Sequence, residues 1–114
     1  MDVYEESFAL HKKKKGKLSL KSKVPVKNKH DLSLAYTPGV AEVCRRIAAN
    51  KSEVFECTLK ANTIAVVSDG SAILGLGNLG AEAAIPVMEG KAVLFKEFAK
   101  LDAFPICLAT QDAQ

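Results

Sequence analysis

The chain has 114 residues, of which 48% are hydrophobic and 25% charged, and its formal net charge is +3. This composition is typical of a globular domain and excludes a wholly disordered or collagen-like chain, and the length allows one compact domain with a modest core. No apolar stretch comes near the roughly 20 residues of a membrane-spanning helix, and the N-terminus lacks the apolar core of a secretory signal, so we expect a cytoplasmic protein that does not bind a membrane.

Residues 1–30 are predicted to form a short helix followed by a lysine-rich arm. Asp2 and Glu5 come close to a capping box at the start of this helix. Most lysines of the chain lie within residues 12–29, and those in the last helical turn suit the negative end of the helix dipole. The run lacks the interleaved aromatic residues of a nucleic-acid site, so we expect a solvated arm and no nucleic-acid partner. A proline within residues 17–26 favours extended structure there.

Two helices joined by a corner are predicted next. The first begins near Asp31 and stops before Pro38, because "YTPG" places a proline and a glycine where the helix would continue. The second ends near Asn50, and Ser52 can cap a short helix after it. The apolar face of the second helix is made by Val40, Val43, Cys44, Ile47 and Ala48.

Two apolar runs are predicted to be strands. "TIAVV", residues 63–67, is rich in β-branched side chains and precedes the turn signal "SDG". "FPICLA", residues 104–109, is the second run, and a helical segment of suitable length separates the two. This order predicts a parallel pair, so the expected fold class is α/β, with a helical N-terminal part followed by a small parallel sheet flanked by helices.

The three cysteines give no sign of a metal or disulfide framework. Cys44, Cys57 and Cys107 contain no CxxC pair and are widely spaced. They are predicted to be small buried hydrophobic residues of a protein in a reducing compartment.

"GLGNLG", from Gly75 to Gly80, matches the GxGxxG pattern of a dinucleotide-binding loop. Such a loop leaves a strand directly, and an acidic residue ends the following strand. Asp102 precedes the second apolar run, and Asp112 follows it but lies far along the chain. A tight turn with close backbone packing explains the glycines as well, so both interpretations stay open.

Lys91 falls on the apolar stripe of the helix that follows this loop. A lysine among apolar neighbours loses hydration of its charged form, which lowers its pKa and makes it a candidate general base. The alternative is a lysine whose stem packs on the core while its ammonium reaches water. The stripe consists of Met88, Ala92, Phe95, Phe98 and Ala99.

Tyr36 is the second candidate, because it sits just before the break at Pro38 and its ring is presented at a corner. A tyrosine can donate a proton, and a nearby cation would stabilise the phenolate that remains. The alternative is a packing residue whose hydroxyl bonds to backbone. Sequence spacing alone does not bring Tyr36 and Lys91 together.

Three blocks resemble the N-terminal domain of the malic enzymes in their short prokaryotic form: "YTPGVAEVCRRIA", "VVSDGSAILGLGNLG" and "IPVMEGKAVLFKEFAKLDAFPICLATQD". The resemblance begins near Asp31 and covers the rest of the chain. It implies oxidative decarboxylation of malate to pyruvate and CO2 with NAD or NADP and a Mg or Mn ion. It also implies that Tyr36 is the general acid that protonates C3 of enolpyruvate, and that Lys91 is the general base for the malate hydroxyl.

The resemblance has departures. Ala72 stands where longer members carry an arginine for the substrate carboxylate, which leaves Lys96 as one substitute, and Asn78 replaces a common aspartate. Asp112 does not match the metal ligands. We therefore expect residues 31–114 to be an incomplete substrate domain of a homodimer, inactive alone, without metal or coenzyme residues and without the NAD(P)-binding domain. The alternatives are a small dinucleotide-binding module using GLGNLG and an assembly or dimerisation domain.

Overall fold

The computed structural model describes residues 2–113, which form two compact units where the sequence predicted one. One unit combines residues 2–19 with 63–113, and the other spans residues 20–62, where contacts are local between consecutive helices. The elements are α1 (Val3–Lys14), α2 (Lys29–Ala35), α3 (Val40–Ala49), α4 (Val54–Cys57), β1 (Thr63–Ser68), α5 (Ala81–Ala99) and β2 (Asp102–Cys107).

The sheet consists of β1 and β2 in parallel, with Thr63 opposite Asp102 and Ser68 opposite Cys107. This confirms the predicted α/β class and the parallel pairing, although β2 begins and ends two residues earlier than "FPICLA". Helix α5 connects the two strands and packs on the sheet. Alternate residues of β2 are half-buried, as expected for a strand covered on one face.

The core is small and centres on the N-terminal half of α5. Its buried residues are Ile73, Ala81, Ala84, Met88 and Ala92. The predicted stripe is therefore correct at Met88 and Ala92 and wrong beyond them, because Phe98 is 83% exposed. Six-residue strands span about 20 Å, whereas a helix of the length of α5 spans about 28 Å, so its C-terminal turns extend past the sheet.

In the helical unit, a side-chain cap begins α2, whereas α3 and α4 begin without one. The Asn28 side chain accepts a 2.8 Å hydrogen bond from the Asp31 N–H, so α2 starts slightly before the predicted position. The next cap is Asn50 rather than Ser52, because its side chain accepts from both the N–H and the hydroxyl of Ser52. Cys44 and Cys57 are exposed, which contradicts their predicted burial, and Cys107 is half-buried.

Helix α1 begins as predicted, with the Asp2 side chain accepting a 2.9 Å hydrogen bond from the Glu5 N–H. Its last residue is Lys14, followed by Lys15, whose backbone is left-handed, and residues 15–28 contain no helix or strand. The arm contacts α5 through Lys17, whose N–H donates to a Glu89 carboxylate oxygen at 2.7 Å. Within residues 2–113, no helix combines the length and the apolar character that crossing a bilayer requires.

Candidate functional site

An open cleft of about 390 Å³ lies where the two strands end and α5 begins. Parallel strands bring their carboxyl ends to one edge of the sheet, which is where ligands bind in open α/β sheets, and the free N–H groups of a helix start favour anions. Sequence reasoning missed this cleft, although the rule for strand ends could have located it. It is lined by Asp69, Gly80, Ala81, Glu82, Leu108, Ala109, Thr110 and Gln111.

The wall of the cleft depends on a close crossing of backbone between Gly70 and Gly80. The Gly80 N–H donates to the Gly70 carbonyl at 3.2 Å. A Cβ at Gly70 would lie 1.9 Å from the Gly80 carbonyl oxygen, and Gly70 has φ +74°. No L side chain fits such a site without moving backbone, so Gly70, which the sequence marked only as part of a turn, sets the path from β1 to α5.

The GLGNLG loop does not have the geometry of a dinucleotide loop. Residues 69–74 separate the end of β1 from Gly75, whereas a dinucleotide loop leaves its strand directly. Gly75, Gly77 and Gly80 have φ of +77°, +85° and +90°, and a Cβ at any of them would meet nothing within 4 Å. These glycines serve the conformation of a turn, and the close approach of backbone is that of Gly70 to Gly80, the last residue of the motif.

The loop is tied to the segment after β2 by a reciprocal pair of amide hydrogen bonds. The Asn78 Nδ2 donates to Gln111 Oε1 and the Gln111 Nε2 donates to Asn78 Oδ1, both at 2.8 Å. At the other side of the cleft, hydrogen bonds from the hydroxyl and the N–H of Ser71 hold the pKa of Asp69 below its usual value. Asp69 is therefore an ionised carboxylate at the cleft under ordinary conditions.

Lys91 lies on α5, one residue before the buried Ala92, and is exposed. This contradicts the prediction of a lysine enclosed by apolar neighbours, because the sheet covers only the stripe that ends at Ala92. Lys91 makes no hydrogen bond or ion pair with other described residues. The desolvation that would make it a base is therefore not supplied within the described chain.

Tyr36 is the residue after the last turn of α2, and it lies in the helical unit, whereas Lys91 lies in the sheet unit. Its N–H donates to Leu32 O and its carbonyl accepts from the Val40 N–H, each at 2.8 Å. These bonds hold the backbone at the corner, as predicted, while the side chain is 66% exposed. Within the described residues, its hydroxyl has no hydrogen-bond partner.

Lys96 and the acidic side chains are the remaining candidate ligands. Lys96 Nζ forms a 2.9 Å ion pair with Asp102 Oδ1, so this lysine already has a carboxylate partner and is a poor substitute for the arginine absent at Ala72. In the part of the chain that the structure describes, no three His, Cys, Asp or Glu side chains are grouped so that they could hold a metal ion. These residues therefore do not fit a Mg or Mn site.

We expect the 114-residue chain to show no saturable binding of NAD or NADP in calorimetric titration. The reason is that the GLGNLG turn does not leave a strand directly, and a Cβ at any of its glycines would meet no neighbouring atom within 4 Å. Saturable binding that weakens on Gly77→Val, with unchanged circular dichroism, would contradict this expectation and favour a dinucleotide-binding module.

Comparison with known proteins gives a consistent result. The family model "Malic enzyme, N-terminal domain" matches residues 15–114. A "Bifunctional malic/malolactic enzyme" of Bacillus subtilis is 61% identical over 98% of this chain and 27% of its own length. An "NAD-dependent malic enzyme" of Geobacillus stearothermophilus is 55% identical over the whole chain and 23% of its own length.

Solved structures agree with this result. The malic enzyme from Pyrococcus horikoshii superposes with a TM-score of 0.92 at 50% sequence identity, over 97% of this chain and 26% of the other. The chain thus spans about a quarter of the length of the relatives it matches.

Proposed function

The chain belongs to the malic enzyme family as an N-terminal domain, and from this premise we propose that it forms part of an enzyme that oxidatively decarboxylates malate to pyruvate and CO2 with NAD or NADP. We assign residues 31–114 to the substrate domain. The coenzyme loop and the Mg or Mn ligands are placed in the remainder of the full-length protein, because GLGNLG and the acidic residues described here do not fit those groups.

The observation that carries the proposal is that the side chains of Tyr36 and Lys91 are exposed and have no polar partner among the described residues. Both lie within the region matched by the family, both are exposed, and neither side chain has a polar partner among residues 2–113. An exposed lysine and an exposed tyrosine are hydrated by water in the same way, so what distinguishes Tyr36 and Lys91 is that they stand in the blocks that resemble the family. Polar side chains left free in this way are available to a substrate.

In the proposed reaction, Lys91 accepts the hydroxyl proton of malate as the alcohol is oxidised, and Tyr36 donates a proton to C3 of enolpyruvate after CO2 leaves. A base needs its neutral form, which burial of the amine favours. We assign that burial to the remainder of the protein closing over α5. We further propose a homodimer, which the family resemblance implies. We also propose a reducing cytoplasm, because Cys44, Cys57 and Cys107 are free thiols.

Tyr36→Phe in the full-length enzyme tests the proposal. The change removes only the hydroxyl that transfers the proton, so kcat should fall about 10²-fold, and the limb of the pH profile that reports the acid should disappear. Stability should be unchanged, because the Tyr36 hydroxyl has no partner among the described residues.

Tyr4→Phe is the matched control, since Tyr4 is also exposed, on α1, and should leave kcat unaltered. A Tyr36→Phe enzyme with at least half of the original kcat would refute the general-acid role. The alternative function, a dinucleotide-binding module, is tested by the titration with NAD or NADP.

A further inference from the structure

Helix α1 has large apolar side chains exposed, and none of its faces is buried within the described residues. None of its twelve residues, all of them described, is buried, and Phe8 is 67% exposed. An isolated helix of this length is marginal in water even with good helix formers, so most of its stability must come from packing. The contact near its end, through Lys17 and Glu89, anchors the arm but covers no face of the helix.

One exposed stripe of α1 has helical spacing and consists of Glu5, Phe8, Ala9 and Lys12. It is distinct from the side of His11, which contacts Lys17. Its charges are segregated, because the first turn of α1 is acidic and the last turn is basic. The Lys12 ammonium lies 6.0 Å from the centre of the Phe8 ring, so the apolar and basic parts of the stripe are contiguous.

These charges make the stripe complementary to itself in the antiparallel direction. Residues 5 and 12 are equidistant from the middle of Val3–Lys14, so a two-fold axis there places Glu5 of one copy opposite Lys12 of the other. The same axis sets the large Phe8 against the small Ala9. Such an isologous contact also opposes the two helix dipoles favourably.

We propose that the Glu5–Phe8–Ala9–Lys12 stripe pairs with the same stripe of a second copy of this chain, antiparallel about a two-fold axis. This proposal assigns a particular surface to the homodimer of the proposed function. It rests on the proposed function only because it requires that homodimer. A nucleic acid or an anionic membrane would use the basic end of α1 but would leave Glu5 without a partner, so the self-pairing accounts for more of the stripe.

Charge reversal followed by mixing tests the pairing by sedimentation equilibrium of the full-length enzyme. Glu5→Lys puts lysine opposite lysine twice in each dimer, and Lys12→Glu does the same with glutamate, so each variant should weaken dimerisation at least about tenfold. An equimolar mixture of the two variants restores both opposite-charge contacts, so its heterodimer should recover the original affinity to within about threefold. Recovery also shows that both variants fold.

Glu6→Lys is the matched control, because it makes the same change of charge in the same helical turn but outside the stripe. It should dimerise like the original chain. An original full-length enzyme that stays monomeric at all concentrations would refute both the homodimer and this surface. A dimer that both Glu5→Lys and Lys12→Glu leave unweakened, or that Glu6→Lys weakens equally, would refute the α1 surface alone. Monomeric single variants that fail to pair on mixing would refute the antiparallel register.

Discussion

Lys91→Met in the full-length enzyme is expected to lower kcat for malate oxidation by about 10³-fold while leaving the fold intact. Methionine keeps most of the aliphatic stem and removes the amine that would accept the hydroxyl proton. Because Lys91 is exposed and makes no hydrogen bond or ion pair with other described residues, its loss should not weaken the packing of α5. Steady-state kinetics and thermal unfolding of the same sample measure both effects.

Two further measurements separate a base from a binding charge. Small primary amines added to a Lys91→Ala enzyme should restore part of kcat, and the rescue should rise with pH as the free amine forms. Lys96→Met is the matched control, since Lys96 lies on the same helix but is paired with Asp102. If Lys91→Met raises KM and leaves kcat unchanged, Lys91 binds substrate and is not the base.

Gly70→Ala is expected to destabilise the 114-residue chain by on the order of 3–5 kcal/mol, which is large for a single methyl group. The added Cβ would lie 1.9 Å from the Gly80 carbonyl oxygen, at a position with φ +74°. Both atoms belong to backbone, so the clash can be relieved only by moving the start of α5 away from β1. Urea unfolding followed by circular dichroism gives the free energy of unfolding.

Gly75→Ala isolates the conformational part of that cost. Gly75 has a similar φ, +77°, but a Cβ there meets nothing within 4 Å, so its replacement should cost only about 1 kcal/mol. If Gly70→Ala and Gly75→Ala have equal effects, the crossing of Gly70 and Gly80 is not what holds the cleft together.

Much of the architecture was predictable because it depends on short-range effects. The Asp2 cap and the corner after Tyr36 involve residues within a few positions of each other, and their hydrogen bonds follow from local residue types. The parallel pairing of β1 and β2 followed from two apolar runs separated by a helix. The family could also be identified from the sequence, since the three blocks that resemble it follow one another along the chain in the family's order.

The errors lie where residues distant in sequence decide the outcome. Phe98 shares the helical period of Met88 but is exposed in the last turns of α5, beyond the buried Ala92. Lys91 is exposed although it lies between the buried Met88 and Ala92, so the covered stripe is narrower than the sequence predicted. The Asn78 and Gln111 amides have no sequence signal that pairs them.

The sequence by itself determined the elements, the fold class and the family, because caps, periodicity and motif order are local properties of the chain. Only the tertiary structure decided the role of each glycine. GLGNLG carries the coenzyme pattern, but its glycines serve a turn, and the residue that has no room for a side chain is Gly70, which lies against the backbone of Gly80, the last residue of the motif. The physical reason is that a motif specifies backbone flexibility, whereas the atoms that approach the backbone come from elsewhere in the chain.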